Sequence, residues 1–141
     1  MKVSFVKPRT RRTLAVDDEV TRWHFRHGWV WNVMLAETWM PLGVVFCTLL
    51  GGDGCAVHFS VKPGVVPPKT AMRAAIRKAI RMLAPVCPLL LATIPDDAEH
   101  RHLILVLYRC GFRRSDLQWR REGDVPVAAL QYFPREKGIV R

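Results

Sequence analysis

Hydrophobic and polar positions along this chain fall into short segments whose period changes from two to about four and back. Residues 1–6 alternate enough to predict a short first strand. Residues 8–12, Pro-Arg-Thr-Arg-Arg, read as a basic loop. Asp17-Asp18-Glu19 places acids where a helix start favours them, and Gly28 can end that helix. Trp23 and Phe25 cannot share one helix face, because neighbours two apart diverge, so one packs and the other borders a groove. Residues 29–40 carry two signals: β-branched and aromatic content favours a strand, whereas Met34-Leu35-Ala36-Glu37 would suit a helix. The strand is the reading adopted, with Pro41 breaking it. Residues 42–50 are a near-continuous apolar run, the pattern of a buried strand. Gly51-Gly52-Asp53-Gly54 is a hairpin turn, and residues 55–61 return as the partner strand.

The period then lengthens. Residues 62–68 form a proline-rich loop, and Pro67-Pro68 suits the entry to a helix over residues 68–83. Met72, Ile76, Ala79, Ile80 and Leu83 make its buried stripe, while Lys69, Arg73, Arg77 and Arg81 recur every fourth residue as a basic ridge. Pro85 and Pro88 end it. A strand over residues 89–94 follows, then Pro95-Asp96-Asp97 as a helix-start signal and a helix over residues 98–109 that stops at Gly111. Two tail strands are expected, 115–121 with Leu117 and Trp119 in alternation and 125–133, joined by a turn at Glu122-Gly123-Asp124; residues 134–141 fray. The order predicts a mixed α/β fold, with the crossover through the basic helix making strands 55–61 and 88–94 parallel neighbours. With no internal repeat and no linker, residues 1–141 read as one domain.

Composition narrows the class. Hydrophobic residues make up 50% of 141, enough for a core and too many for a disordered chain. No apolar run approaches the roughly 20 residues needed to span a bilayer, and the N-terminus lacks the apolar region of a signal peptide. The expectation is a soluble, cytoplasmic protein. Cys47, Cys55, Cys87 and Cys110 form no Cys-x-x-Cys pair and sit in apolar segments, so they read as buried reduced thiols. The pairs His24/His27 and His100/His102 lack cysteines at finger spacing, and no metal site is expected.

The formal net charge is +10 and unevenly spread. Lys2, Lys7, Arg9, Arg11 and Arg12 have no acid among them, nor do Lys62, Lys69, Arg73, Arg77, Lys78 and Arg81. Such patches favour nucleic acid, acidic protein surfaces or a phosphorylated cofactor, and the solvated surface of a basic protein accounts for them equally.

The apolar hairpin ending His58-Phe59-Ser60-Val61, the basic helix, Leu91-Ala92-Thr93-Ile94-Pro95 and Leu107-Tyr108-Arg109-Cys110-Gly111-Phe112 together resemble the GNAT (N-acetyltransferase) superfamily over nearly the whole chain. The chain also looks like the short, divergent GNAT-fold proteins encoded by bacteriophages, which would place it in a host cytoplasm or a virion. The resemblance implies a central mixed sheet with helices on both faces. It also implies an acetyl-CoA site where two parallel strands splay apart, here along residues 56–61. The acyl carbonyl would be polarised by a backbone amide near Phe59 or Ser60. The pyrophosphate would lie over residues 62–70 at the start of the basic helix. The implied cofactor contacts are Phe59, Ser60, Val61, Lys62, Lys69, Thr70 and Arg73, with His100 or His102 beside them.

Two features depart from the family pattern. The family's glycine-rich phosphate loop here reads Lys62-Pro63-Gly64-Val65-Val66-Pro67-Pro68-Lys69-Thr70, with one glycine and three prolines that donate nothing. Either Lys62, Lys69, Thr70 and Arg73 compensate with side-chain contacts, or the site has decayed. The family's asparagine and tyrosine in the last helix fall on His100 and Leu107, with Tyr108 one residue late. Tyr108 is the candidate general acid. The base that takes the amine proton is sought in His58, which shares a strand face with Ala56 and Ser60, or in Glu37, a carboxylate inside an apolar stretch.

Three functions compete. One is an acyl-CoA-dependent N-acetyltransferase whose acceptor is a protein amine or a small amine. The second is an inactive GNAT-fold, virion-associated module whose basic surface binds nucleic acid or an acidic protein. The third is a toxin-type acetyltransferase acting on charged tRNA.

Overall fold

The computed structural model describes residues 2–50, 54–115 and 127–134. They form a 7-stranded mixed sheet carrying three helices. In chain order the strands are β1 (Val3–Val6), β2 (Trp29–Leu35), β3 (Pro41–Leu49), β4 (Gly54–Val61), β5 (Leu89–Pro95), β6 (Phe112–Arg114) and β7 (Val127–Tyr132). The helices are α1 (Glu19–His27), α2 (Lys69–Leu83) and α3 (Arg101–Arg109). The spatial order is β1-β2-β3-β4-β5-β7-β6, and β4 runs parallel to β5 as the crossover requires. The other described pairings are antiparallel.

Helix α1 begins and ends on readable signals. The Asp18 carboxylate accepts the Thr21 amide at 2.7 Å to start α1, and Gly28 closes it. Trp23 is exposed and borders a groove, while Phe25 packs. Met72, Ile76 and Ala79 of α2 are buried as their spacing predicts, joined by Ala71 and Ala75; Ile80 and Leu83 are only half-buried.

The single strand expected over residues 29–40 is in fact a strand and a turn. β2 ends at Leu35, residues 36–38 turn, and Leu35 makes two bonds across the turn: its carbonyl accepts the Trp39 amide, and its amide donates to the Met40 carbonyl. Pro41 does not break a strand but opens β3, where its missing N–H costs no ladder bond. Antiparallel pairing of two apolar runs outweighs the continuity of the run. Helix α3 starts at Arg101 rather than residue 98, because the Asp97 carboxylate accepts the His100 amide at 3.0 Å and holds residues 98–100 in a turn. The strand after Gly111 begins at Phe112 instead of residue 115. Gly111, at φ 105°, makes the reversal in a conformation that disfavours side chains, with the Tyr132 ring pressed against it. The expected turns at 51–53 and 122–124, Leu117, Trp119 and the tail beyond 134 lie outside the described residues.

Period-2 alternation divides the core. Cys55, Val57 and Phe59 of β4 and Leu90, Ala92 and Ile94 of β5 join the cluster under α2 and α3. On the opposite face Leu14, Ala15, Val16, Val30, Val44 and Phe46 pack with α1. Cys47, Cys55 and Cys87 are buried free thiols and Cys110 a half-buried one.

Candidate functional site

The parallel pairing of β4 and β5 runs from Gly54↔Leu89 to His58↔Thr93 and stops. Beyond that point β4 stays with β3 as far as Gly43↔Val61, while β5 stays with β7 through Ile94↔Ala128 and Pro95↔Val127. The two central strands therefore part at Phe59, Ser60 and Val61. On the far side of β4 from the gap, Gly43 lets β3 approach closely: a Cβ there would overlap the Ser60 carbonyl oxygen. Next to it Leu42 is skipped in the β2–β3 register, a bulge at the same end of the sheet.

Strand alternation decides which backbone groups face the gap. The Leu42 carbonyl accepts the Lys62 amide at 2.9 Å and the Gly54 carbonyl accepts the Leu50 amide at 3.1 Å, so even-numbered residues of β4 face β3. The Ser60 amide is turned away from the gap; those of Phe59 and Val61 are turned toward it. The Val61 amide donates to Nε2 of His100 at 3.3 Å, and Nδ1 of the same ring lies 2.6 Å from the Asp97 carboxylate. Since Nε2 accepts, Nδ1 carries the ring proton and donates to Asp97. Both ring nitrogens are engaged and His100 is only 5% exposed, which makes it a clasp between the start of α3 and the end of β4 rather than a group aimed at a ligand.

The gap opens on a cleft of about 590 Å³, walled by residues 61–69 except Pro63 and closed by Met72, Ala98, Glu99 and His102. Its floor is apolar and its polar rim carries Lys62, Lys69 and His102 against one carboxylate, Glu99. α2 begins here with no side-chain cap, so the positive end of its dipole meets the cleft. Lys69, Thr70 and Arg73 are exposed on its first turns. A small apolar cavity of about 40 Å³, lined by Phe59, Val61, Ala71, Met72, Ala75 and Leu103 among others, lies under the splayed end of β4.

No protein-family model and no curated protein sequence matches the chain. Solved structures do. An acetyltransferase of the GNAT family from Bacillus cereus superposes with a TM-score of 0.64 at 11% identity, covering 96% of this chain and 98% of its own. A Bacillus subtilis acetyltransferase in complex with CoA gives 0.58 at 12% identity over 93% and 97%. The NatC complex bound to Gag peptide and CoA contributes a chain at 0.56 and 10% identity over 94% and 98%. This is the GNAT fold.

Within the GNAT fold the remaining sequence candidates are scattered rather than gathered. His58 lies on the α1 face, 7% exposed, its Nδ1 2.8 Å from the Thr93 hydroxyl. It stacks on Phe46 at 4.4 Å, and His24 stacks on the other side of that ring at 4.0 Å. Burial depresses the His58 pKa to about 4; Asp18 opposes the shift, and His24 and His100 add to it. His24 itself donates from Nδ1 to the Val20 carbonyl and accepts the Thr48 hydroxyl at Nε2, both at 3.0 Å. Glu37 is not inside an apolar layer: it is exposed in the β2–β3 turn, at the same end of the sheet as the gap and two strands, about 10 Å, from β4. Tyr108 is half-buried against the α2–α3 core, about 12 Å along the helix from His100. Among the described residues no three His, Cys, Asp or Glu side chains come together to hold a metal, and no helix is long and apolar enough to cross a membrane.

Sequence reasoning missed the Asp97–His100–Val61 clasp and the His24–Phe46–His58 stack. Asp97 and His100 stand three apart, a visible spacing; their partner in β4 left no mark in the sequence.

Proposed function

We propose that this chain is an acyl-CoA-dependent N-acetyltransferase acting on an amine acceptor. The observation that carries the reading is the parting of β4 from β5 at Phe59 beside an apolar-floored cleft at the N-terminus of α2. The cleft suits acyl-CoA: its floor is apolar, and its rim offers cations where a pyrophosphate needs them. Lys62, Lys69, Thr70 and Arg73 would hold the phosphates with side chains, in place of the amide wrapping that three prolines deny. Phe59 and Val61 would border the pantetheine arm, and Ser60 the acyl end.

Acyl-CoA supplies an activated thioester. The acceptor nitrogen forms a bond to the carbonyl carbon, the C–S bond breaks, the amine loses a proton and the departing sulfur gains one. The Phe59 amide, which faces the gap, polarises the carbonyl oxygen. Tyr108 supplies the proton to sulfur. The amine proton goes to Glu37, through water, or to His58. The low His58 pKa makes that ring a weak base at neutral pH, and the exposure of Glu37 makes it the reachable one.

Calorimetric titration with acetyl-CoA tests the reading. Micromolar binding that disappears in Lys69→Ala/Arg73→Ala supports a working site. Absence of binding by the folded protein refutes the enzyme and moves the search to its basic surfaces.

A further inference from the structure

The two acid-free basic stretches of the sequence, residues 2–12 and 62–81, meet in space. β1 is an edge strand of the sheet, and the second half of α2 lies across it. Between them runs a groove of about 370 Å³ lined by Lys2, Val3, Ala74, Arg77, Lys78 and Arg81. Four of these six side chains are cations. None of the four forms an ion pair among the described residues, and no described carboxylate lines the groove. Arg77 and Arg81 stand one turn apart on one helix face, about 6 Å along the axis. The Lys78 ammonium sits 5.2 Å from the centre of the Phe5 ring, which fixes it toward β1. The groove is distinct from the acyl-CoA cleft, where Lys69 lies roughly 18 Å back along α2 from Arg81.

We infer that this groove binds the phosphate backbone of nucleic acid without reading sequence. A row of like charges on a rigid helix matches a regular polyanion, and guanidinium forks match phosphate oxygens. Stable protein interfaces typically centre on a well-packed aromatic or apolar anchor, and here the apolar lining is one valine and one alanine. The lining holds no aromatic side chain to stack a base and no asparagine or glutamine to pair with adenine, so phosphate is the group its row of cations is set to meet. This inference does not depend on acetyl transfer.

The test is fluorescence anisotropy with a labelled 20-base-pair duplex across a salt series, on the full chain. Wild type should bind, with affinity falling steeply with salt and differing little between sequences. Arg77→Gln/Arg81→Gln should flatten the slope of log K against log salt by about 2, near one for each phosphate that is no longer neutralised. Arg22→Gln/Arg26→Gln, removing equal charge from α1 on the opposite face, should leave most of the slope. Thermal melts establish that both variants fold. Equal reductions from the two pairs would overturn the groove in favour of diffuse charge. No duplex binding at low salt, or stronger binding to poly-glutamate or to phosphatidylserine vesicles than to the duplex, would overturn the nucleic-acid assignment.

Discussion

Val61 and His100 are joined by a hydrogen bond in which a strand amide donates to an imidazole nitrogen at 3.3 Å, across 39 residues of sequence. It lies where β4 has left β5, so a side chain satisfies the donor that a neighbouring strand would otherwise have taken. Asp97 fixes the ring from the other side. A splayed sheet exposes backbone polar groups, and here one of them is held by a purpose-placed acceptor.

Removing that acceptor leaves the Val61 amide unpartnered in a half-buried site. His100→Ala should therefore cost about 1–3 kcal/mol in urea unfolding and speed hydrogen exchange at the Val61 amide. His100→Gln, which keeps an acceptor oxygen, should recover part of both. Unchanged exchange in His100→Ala would show that the bond is not formed in solution.

His58 links stability to pH. Its folded pKa of about 4 lies below the ordinary 6.5, so the unfolded chain binds the proton first. Above 6.5 both states are neutral and the full stability is present. It falls away as pH drops through that value toward 4, by about 3 kcal/mol at most. The pH series of urea midpoints should show this fall. His58→Phe, which keeps a ring against Phe46, should flatten it even though the Thr93 hydroxyl loses a partner.

Gly43 and Gly54 stand on neighbouring strands with opposite tolerance. A Cβ at Gly43 meets the Ser60 carbonyl, whereas at Gly54 the nearest atom is a Leu89 methyl at 3.5 Å, an ordinary van der Waals distance. Gly43→Ala should destabilise by about 2 kcal/mol or more, or fail to fold. Gly54→Ala should fall within about 1 kcal/mol of wild type. Thermal melts of the pair decide it, and equal stabilities would contradict the close approach.

The proton-transfer assignments separate by kinetics. With an acetyl acceptor in hand, Tyr108→Phe should lower kcat about 100-fold with KM little changed. A drop in thermal stability with kcat intact would return Tyr108 to packing alone. Glu37→Gln should lower kcat/KM about 100-fold if the exposed carboxylate takes the amine proton.

Much of the fold was legible because its signals are local. Asp18 and Gly28 bracket α1, Pro67-Pro68 opens α2, and the crossover length forces β4 and β5 parallel. The β2–β3 turn was hidden because Leu35 and Met40 are apolar on both sides of it, and only three residues make the turn. The α3 start was hidden because an Asp97 side chain bonding to His100 is indistinguishable, in sequence, from a helix cap. At the cleft, the four-residue recurrence of Lys69 and Arg73 along α2 was visible in the sequence, and Lys62 and Lys69 line its rim. The engagement of His100 by Val61, and the burial of His58 between Phe46 and Thr93, could not, since their partners come from other strands.

The short edge strand β1 is bracketed by Lys2 and Lys7, both exposed. Two copies meeting edge to edge in antiparallel register would set the Lys2 of each against the Lys7 of the other, like charges facing across the new ladder. Open backbone donors and acceptors on β1 thus come with a built-in deterrent to self-association. Salt weakens it within a Debye length of about 8–10 Å, so the chain should stay monodisperse at low ionic strength and begin to stack as ionic strength rises.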